Sequence, residues 1–226
     1  MNQHGDVRRK NGSPRLEGTS VSRNGGGFGP HYCTFFLYPL KVGTTMAYTP
    51  GSLTQDQVIS TAKCGEIIHT HGKKFRMGKV NAGQSNSQIR KALAHAIPIG
   101  EYPELYQEVI PLVLDVNRSL WGYKLDSHDS LQLLKYTPGC HYDWHMDLGS
   151  GGHETRKLSF IIGLSPTESY EGGEIIFKVG PVEKGIKIEQ GKMMTFPSFI
   201  LHKVAPVTKG ERYVLVGWLR GDEAFV

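Results

Sequence analysis

A chain of 226 residues with 38% hydrophobic and 21% charged side chains has the length and balance of one globular domain, and needs no disulfide scaffold to hold its core. Its 28 glycines and 12 prolines point to many short strands joined by turns, which excludes collagen-like, coiled-coil and wholly disordered organisation. The formal charge is +5, but Arg8, Arg9, Lys10, Arg15 and Arg23 against Asp6 and Glu17 put +3 of it in residues 1–30, so the other 196 residues are nearly balanced.

Residues 1–30 hold seven glycines and no apolar periodicity, so they read as a flexible basic arm, a solvating tail rather than a nucleic-acid contact. The opening lacks the apolar stretch of a signal peptide, and no run approaches the roughly 18 apolar residues of a membrane span. A cytoplasmic protein with no membrane partner is therefore expected. Cys33, Cys64 and Cys140 are odd in number and widely separated, and read as reduced thiols.

Residues 31–226 read as a single domain, with 31–130 as support and 131–220 as a β core. An aromatic strand is expected over Tyr32–Tyr38. Thr54 to Gln57 has the spacing of a capping box, predicting a helix to about His69. A second helix is expected near 86–96. A third is carried by Leu105, Val109, Leu112, Val113, Val116 and Leu120, with Pro111 kinking or dividing it. Beyond residue 130 the period becomes strand-like, with candidates at 131–136, 141–147, 157–164, 173–179, 186–189, 192–197, 201–207 and 211–219. The fold class is mostly β with supporting helices (α+β), a sandwich or barrel with helices packed outside.

The segment from Tyr136 to Asp147 gathers His141, Asp143, His145 and Asp147. Alternate side chains of a strand share a face, so His145 and Asp147 converge, whereas the turn at Pro138 and Gly139 lets His141 and Asp143 diverge. An imidazole and a carboxylate joined by one more histidine make a facial triad for Fe(II), and His202, on a later strand in an apolar stretch, is the best third ligand. Arg212 follows ten residues later on an inward-facing strand, where a guanidinium needs a buried anion such as a carboxylate. Two other histidine pairs read differently. His69 and His71, at a helix end beside lysines, fit a capping or solvent role, and His141 with His145 lacks the glutamate of an HExxH zinc motif.

Tyr136, the run Gly139-x-x-Tyr142-x-x-His145-x-Asp147, Arg156 before a strand, Gly172-Gly173-Glu174, His202, Arg212 and Trp218 together resemble the prolyl hydroxylase-like branch of the Fe(II)/2-oxoglutarate dioxygenases, in its short microbial and viral form. The resemblance spans residues 131–220 and implies a double-stranded β-helix. By it, His145, Asp147 and His202 would bind Fe(II), and Arg212 the distal carboxylate of 2-oxoglutarate. Tyr136 would hydrogen-bond that cosubstrate, Trp218 would pack beside it, and Tyr142 and Arg156 would lie near the substrate entrance.

The implied reaction consumes O2 and 2-oxoglutarate, releases succinate and carbon dioxide and hydroxylates an unactivated C–H bond, with ascorbate as an auxiliary reductant. A prolyl residue of a peptide or protein is the expected substrate. A nucleic-acid or small-molecule oxygenase of the same superfamily is the alternative, and a noncatalytic β-barrel binding module the reading from another class. One position departs from the pattern. The tyrosine that some relatives place after Arg156 is replaced by Phe160-Ile161-Ile162, leaving Ser159 or Thr195 as substitute hydroxyls.

Overall fold

The computed structural model describes residues 32–34, 51–54, 56–78 and 88–225. The arm expected at 1–30 and residues 35–38 of the expected first strand lie outside them. In chain order the elements are β1 (Tyr32–Thr34), β2 (Ser52–Thr54), α1 (Thr61–His71), β3 (Arg76–Met77), β4 (Arg90–Lys91), β5 (Leu93–Ile97) and α2 (Pro103–Leu120). There follow β6 (Ser127–His128), β7 (Leu131–Tyr136), β8 (His141–His145), β9 (Arg156–Gly163), β10 (Tyr170–Gly172) and β11 (Ile175–Val179). The last are β12 (Val182–Ile186), β13 (Met193–Pro197), β14 (Leu201–Val204), β15 (Val207–Gly210) and β16 (Arg212–Arg220).

Two antiparallel sheets face one another, as a double-stranded β-helix requires. The larger runs β1-β2-β13-β9-β16-β7-β5-β3 with β6 on β16, and the smaller runs β12-β11-β14-β8-β4, while β10 and β15 form a separate pair. Alternation along the central strands divides the core in two. On β16, Leu215 and Leu219 join a cluster with Leu131, Leu133, Leu158, Phe160 and Ile162, which the apolar faces of α1 and α2 cover. Val214, Val216 and Trp218 face the other way and pack with Leu134, Tyr136, Phe177 and Phe196 between the sheets. Because both faces are covered, β9 and β16 are nearly continuous apolar runs in sequence.

The helical expectations are corrected in three places. Thr54 does not open a helix. It ends β2, and its hydroxyl accepts from the Met193 backbone N–H at 3.0 Å, while the true N-cap is Ser60, whose hydroxyl accepts from Lys63 N at 3.1 Å. The helix expected at 86–96 is replaced by β4 and β5, because β5 finds five register partners on β7 and that pairing overrides local helix propensity. Pro111 does not divide α2, which continues through it to Leu120.

Among the strands, 141–147 ends at His145 as β8, 186–189 is displaced to β12, and 201–207 is split by Pro206 into β14 and β15. His71 ends α1 buried, not in a solvent or capping role. Cys64 and Cys140 are free thiols, as expected. Among the described residues no helix is long and apolar enough to cross a membrane.

Ser60→Ala removes the one side-chain cap of α1. It should lower unfolding free energy by about 1 kcal/mol in a denaturant titration, with the slope unchanged.

Candidate active site

β8 and β14 are antiparallel neighbours, and their register sets His145 directly across from His202. Asp147 follows β8 in a turn pinned by two bonds, since its own N–H and that of Leu148 both donate to the Ser198 carbonyl at 3.0 Å. Each histidine uses Nδ1 on a backbone carbonyl, His145 on Asp143 at 2.7 Å and His202 on Ile200 at 2.8 Å. A carbonyl only accepts, so the proton sits on Nδ1 and Nε2 keeps a free lone pair.

Those Nε2 atoms lie 3.8 Å (His145) and 3.7 Å (His202) from the two Asp147 carboxylate oxygens. One ion with bonds of roughly 2.0–2.2 Å spans such separations, so the three side chains fit a divalent metal. Burial, and then the neighbouring His202, push the His145 pKa down to about 3, which keeps its imidazole neutral. Burial alone would raise the Asp147 pKa, but His202, His145, Ser159 and Trp218 together outweigh it and hold the group as a carboxylate.

An irregular register adds a fourth side chain. Between the pairs His202 with His145 and Val204 with Tyr142, β8 has one residue more than β14. This bulge turns Tyr142 onto the face of His145, and the rings stack at 3.5 Å and 11°. His141 is bonded to the carbonyls of Gln88 and Gly139 and Asp143 is exposed, so both stay outside the cluster, as expected.

The cluster opens into a cavity of about 510 Å³ between the sheets. Arg212 lines it and is only 2% exposed, yet its Nη1 has no hydrogen-bond partner among the described residues, an arrangement that favours an incoming anion. Tyr136 is paired with Arg212 in register, and its ring lies 5.2 Å from the guanidinium carbon. Burial raises the Tyr136 pKa, so the phenol stays protonated. Gly173, at φ +69°, is required for this placement, since a Cβ there would come within 2.8 Å of the Arg212 side chain.

All eight residues singled out in the sequence line the cavity: Tyr136, Tyr142, His145, Asp147, Arg156, His202, Arg212 and Trp218. One surrounding differs from expectation. Ser159 does not substitute for the missing tyrosine, because its hydroxyl pairs with Ser198 at 3.0 Å and faces Asp147, and Thr195 is buried away from the cavity lining. Trp218 faces Asp147 as well and carries the Arg156 guanidinium over its ring at 4.0 Å.

Sequence reasoning missed Gln132, Arg90, Arg76, Met146 and His153, which also line the cavity. Gln132 was legible, sharing the strand face of Leu134 and Tyr136. Arg90 was hidden by the helical reading of its segment, and in the structure it sits over the Tyr142 ring at 4.8 Å.

Beneath the site Asp129 joins two arginines. Arg156 meets it at 2.6 and 2.8 Å and also donates to the Asp147 carbonyl at 3.2 Å. Arg220 bonds the other Asp129 oxygen and reaches the Gly152 carbonyl at 2.7 Å, so the loop before β9 is tied to the same anchor.

The chain resembles known proteins. The family model described as 2OG-Fe(II) oxygenase superfamily matches residues 131–220. A PKHD-type hydroxylase of Rippkaea orientalis is 30% identical over 172 residues, 74% of this chain and 77% of the relative. Another PKHD-type hydroxylase, from Parvibaculum lavamentivorans, is 46% identical over 88 residues, where the match spans 39% of this chain and 40% of the relative. Among solved structures, a Pseudomonas putida prolyl-4-hydroxylase superposes with a TM-score of 0.61 at 22% identity, covering 76% of this chain and 92% of that one. A viral collagen prolyl hydroxylase from Paramecium Bursaria Chlorella virus-1, in complex with 2OG, gives 0.59 at 19% identity, covering 77% and 97%. At these identities the structural likeness is one of fold.

The Asp129 network can be tested without any ligand. Burial would raise the Asp129 pKa, but bonds and charge from Arg220 and Arg156 lower it below 3.8, so the stabilisation is present above pH 3.8 and drains away as pH falls through the folded value. Asp129→Asn should cost about 2–4 kcal/mol at pH 7, read as a fall in Tm, and should flatten the acid limb of the stability profile.

Proposed function

The chain belongs to the 2OG-Fe(II) oxygenase superfamily, and on that premise we propose that it hydroxylates a prolyl residue of a peptide or protein, releasing succinate and carbon dioxide. Membership in the family brings Fe(II), with 2-oxoglutarate and O2 as cosubstrates. In this reading His145, Asp147 and His202 hold the iron, and Arg212 binds the distal carboxylate of 2-oxoglutarate. The observation that carries the reading is the meeting, in one cavity, of two imidazole nitrogens and a carboxylate with a buried guanidinium whose Nη1 lacks a partner among the described residues. A noncatalytic binding module has no use for that combination.

The iron, when bound, supplies the coupling of 2-oxoglutarate decarboxylation to oxygen insertion into a C–H bond. The chain's residues provide position and protonation. Arg212 offers a charged fork to one end of the dicarboxylate, and the protonated Tyr136 phenol offers a neutral donor beside it. The Asp143 and Ile200 carbonyls fix the two imidazole tautomers, and Tyr142 stacked on His145 restricts the ring. His202 and His145, with Ser159 and Trp218 as hydrogen-bond donors, hold Asp147 ionised.

The peptide substrate is supported by the rim. The exposed side chains of Met77 and Met146 line the cavity mouth together with Arg76 and Arg90, which suits an apolar ring on a polar backbone. The names of the relatives and structural neighbours, PKHD-type hydroxylase and prolyl-4-hydroxylase, point the same way.

Arg212→Ala should raise the 2-oxoglutarate requirement tenfold or more, a change of about 1.4 kcal/mol per tenfold. Gly173→Ala should act in the same direction by displacing Arg212. Iron binding should survive in both, and an unchanged cosubstrate requirement would remove Arg212 from its role.

Proline-rich peptides incubated with the enzyme, Fe(II), 2-oxoglutarate and O2 should gain one oxygen atom on proline by mass spectrometry, with matching succinate. Succinate formed only with nucleotides or a free metabolite would discard the prolyl substrate and leave the oxygenase.

A further inference from the structure

On the face of the larger sheet opposite the cavity lies a second group of two histidines and a carboxylate. Alternation along β5 sends Ala94 and Ala96 to the cavity lining and His95 to the other side. There His95 meets His71, the last residue of α1, and Glu101, in the turn closed by its N–H on the Pro98 carbonyl just before α2. Glu101 Oε1 lies 3.5 Å from His71 Nδ1 and 3.9 Å from His95 Nε2, and one ligand atom from each residue falls within 4.8 Å of the others. None of the three lines the cavity.

We infer that His71, His95 and Glu101 form a second divalent-metal site, of the Zn²⁺ class, that clamps the end of α1 and the start of α2 to β5.

The strongest observation is unpaired polarity. His71 is 2% exposed, and both of its ring nitrogens are buried without a hydrogen-bond partner among the described residues. His95 Nε2 is buried and unpaired as well. Buried polar atoms are rarely left so, and two orphaned imidazoles aimed at one carboxylate call for a cation among them. Both His95, at 5.5 Å, and Tyr102, at 5.7 Å, stack with the His71 ring.

Burial lowers the pKa of both histidines, which keeps them as neutral ligands instead of cations for Glu101. Two imidazoles, one carboxylate and no thiol suit Zn²⁺ or a similar ion, with water completing the shell. Bonds of roughly 2.0–2.2 Å require the ligand atoms to draw in by about 1.5 Å at most, within side-chain rotation for Glu101.

The positive charge beside Glu101 comes from the Lys74 ammonium, which is hydrogen-bonded to it. Lys74 is 49% exposed and sits in the turn after α1, so it can withdraw to solvent when an ion enters. Lys74 and the metal are then competitors for one carboxylate, which separates this site from an ordinary ion pair.

The test uses the full chain carrying His145→Ala and Asp147→Ala, so that the cluster under the cavity no longer holds metal. Zn²⁺ titration by calorimetry, with metal counted by mass spectrometry after desalting, should give one equivalent. His95→Gln or Glu101→Gln on that background should lose it, while Lys74→Met should tighten it several-fold, and Co²⁺ should show the visible absorption of a low-symmetry nitrogen and oxygen site. Circular dichroism checks the fold of each variant. If the background variant does not fold, the count is made in the otherwise native chain, where His95→Gln should reduce two equivalents to one. An unchanged count with His95→Gln and with Glu101→Gln, no Zn²⁺ retained at all, or a Lys74→Met change that lowers Tm without altering affinity would each overturn the site.

Discussion

The antiparallel pairing of β8 with β14 is the constraint on which the site depends. It sets His145 opposite His202 although they are 57 positions apart in sequence, and each Nδ1 faces a nearby backbone carbonyl, Asp143 within β8 and Ile200 just before β14. The free lone pairs then converge as a consequence of strand geometry, without a dedicated loop. The extra residue of β8 adds Tyr142 to the same side, so a local irregularity in the ladder supplies the ring that packs on the ligand.

The larger sheet does the remaining positioning by parity. Along β16, Arg212, Val214, Val216 and Trp218 look into the cavity, while Leu215 and Leu219 look toward the helices. The same strand thus anchors the helical layer and presents the guanidinium, and a register slip of one residue would exchange the two sets. Gly173 completes the arrangement from another strand end, because only a residue without Cβ leaves room for the Arg212 stem. β5 repeats the device with the opposite contents, alanines toward the cavity and His95 toward α1 and α2.

Where sequence and structure part, nonlocal pairing is the cause. Residues 86–96 have a composition a helix accepts, yet β5 is a strand because β7 offers it a full ladder, and the loss of that segment in the sequence reading took Arg90 and His95 with it. Thr54 carries a capping signature that its hydroxyl uses instead on Met193, a residue 139 positions away. His71 looks like a solvated helix end beside two lysines, and its burial follows from packing against β5 and the start of α2.

The sequence by itself determined the change of period near residue 130 and singled out His145, Asp147, His202 and Arg212, while the family resemblance added Tyr136 and Trp218. The change of period and the residue chemistry are local properties, readable within a few positions, whereas the strand expected over 141–147 ends at His145 and Asp147 reaches the cluster from the turn that follows. Only the tertiary structure decided which strands are neighbours. It made Ser159 a partner of Ser198 and Asp147, brought Asp129 between Arg156 and Arg220, and gathered His71, His95 and Glu101 from three separate elements. Each of those contacts depends on burial and sheet order, which arise when the whole chain closes on its core and have no counterpart in spacing along it.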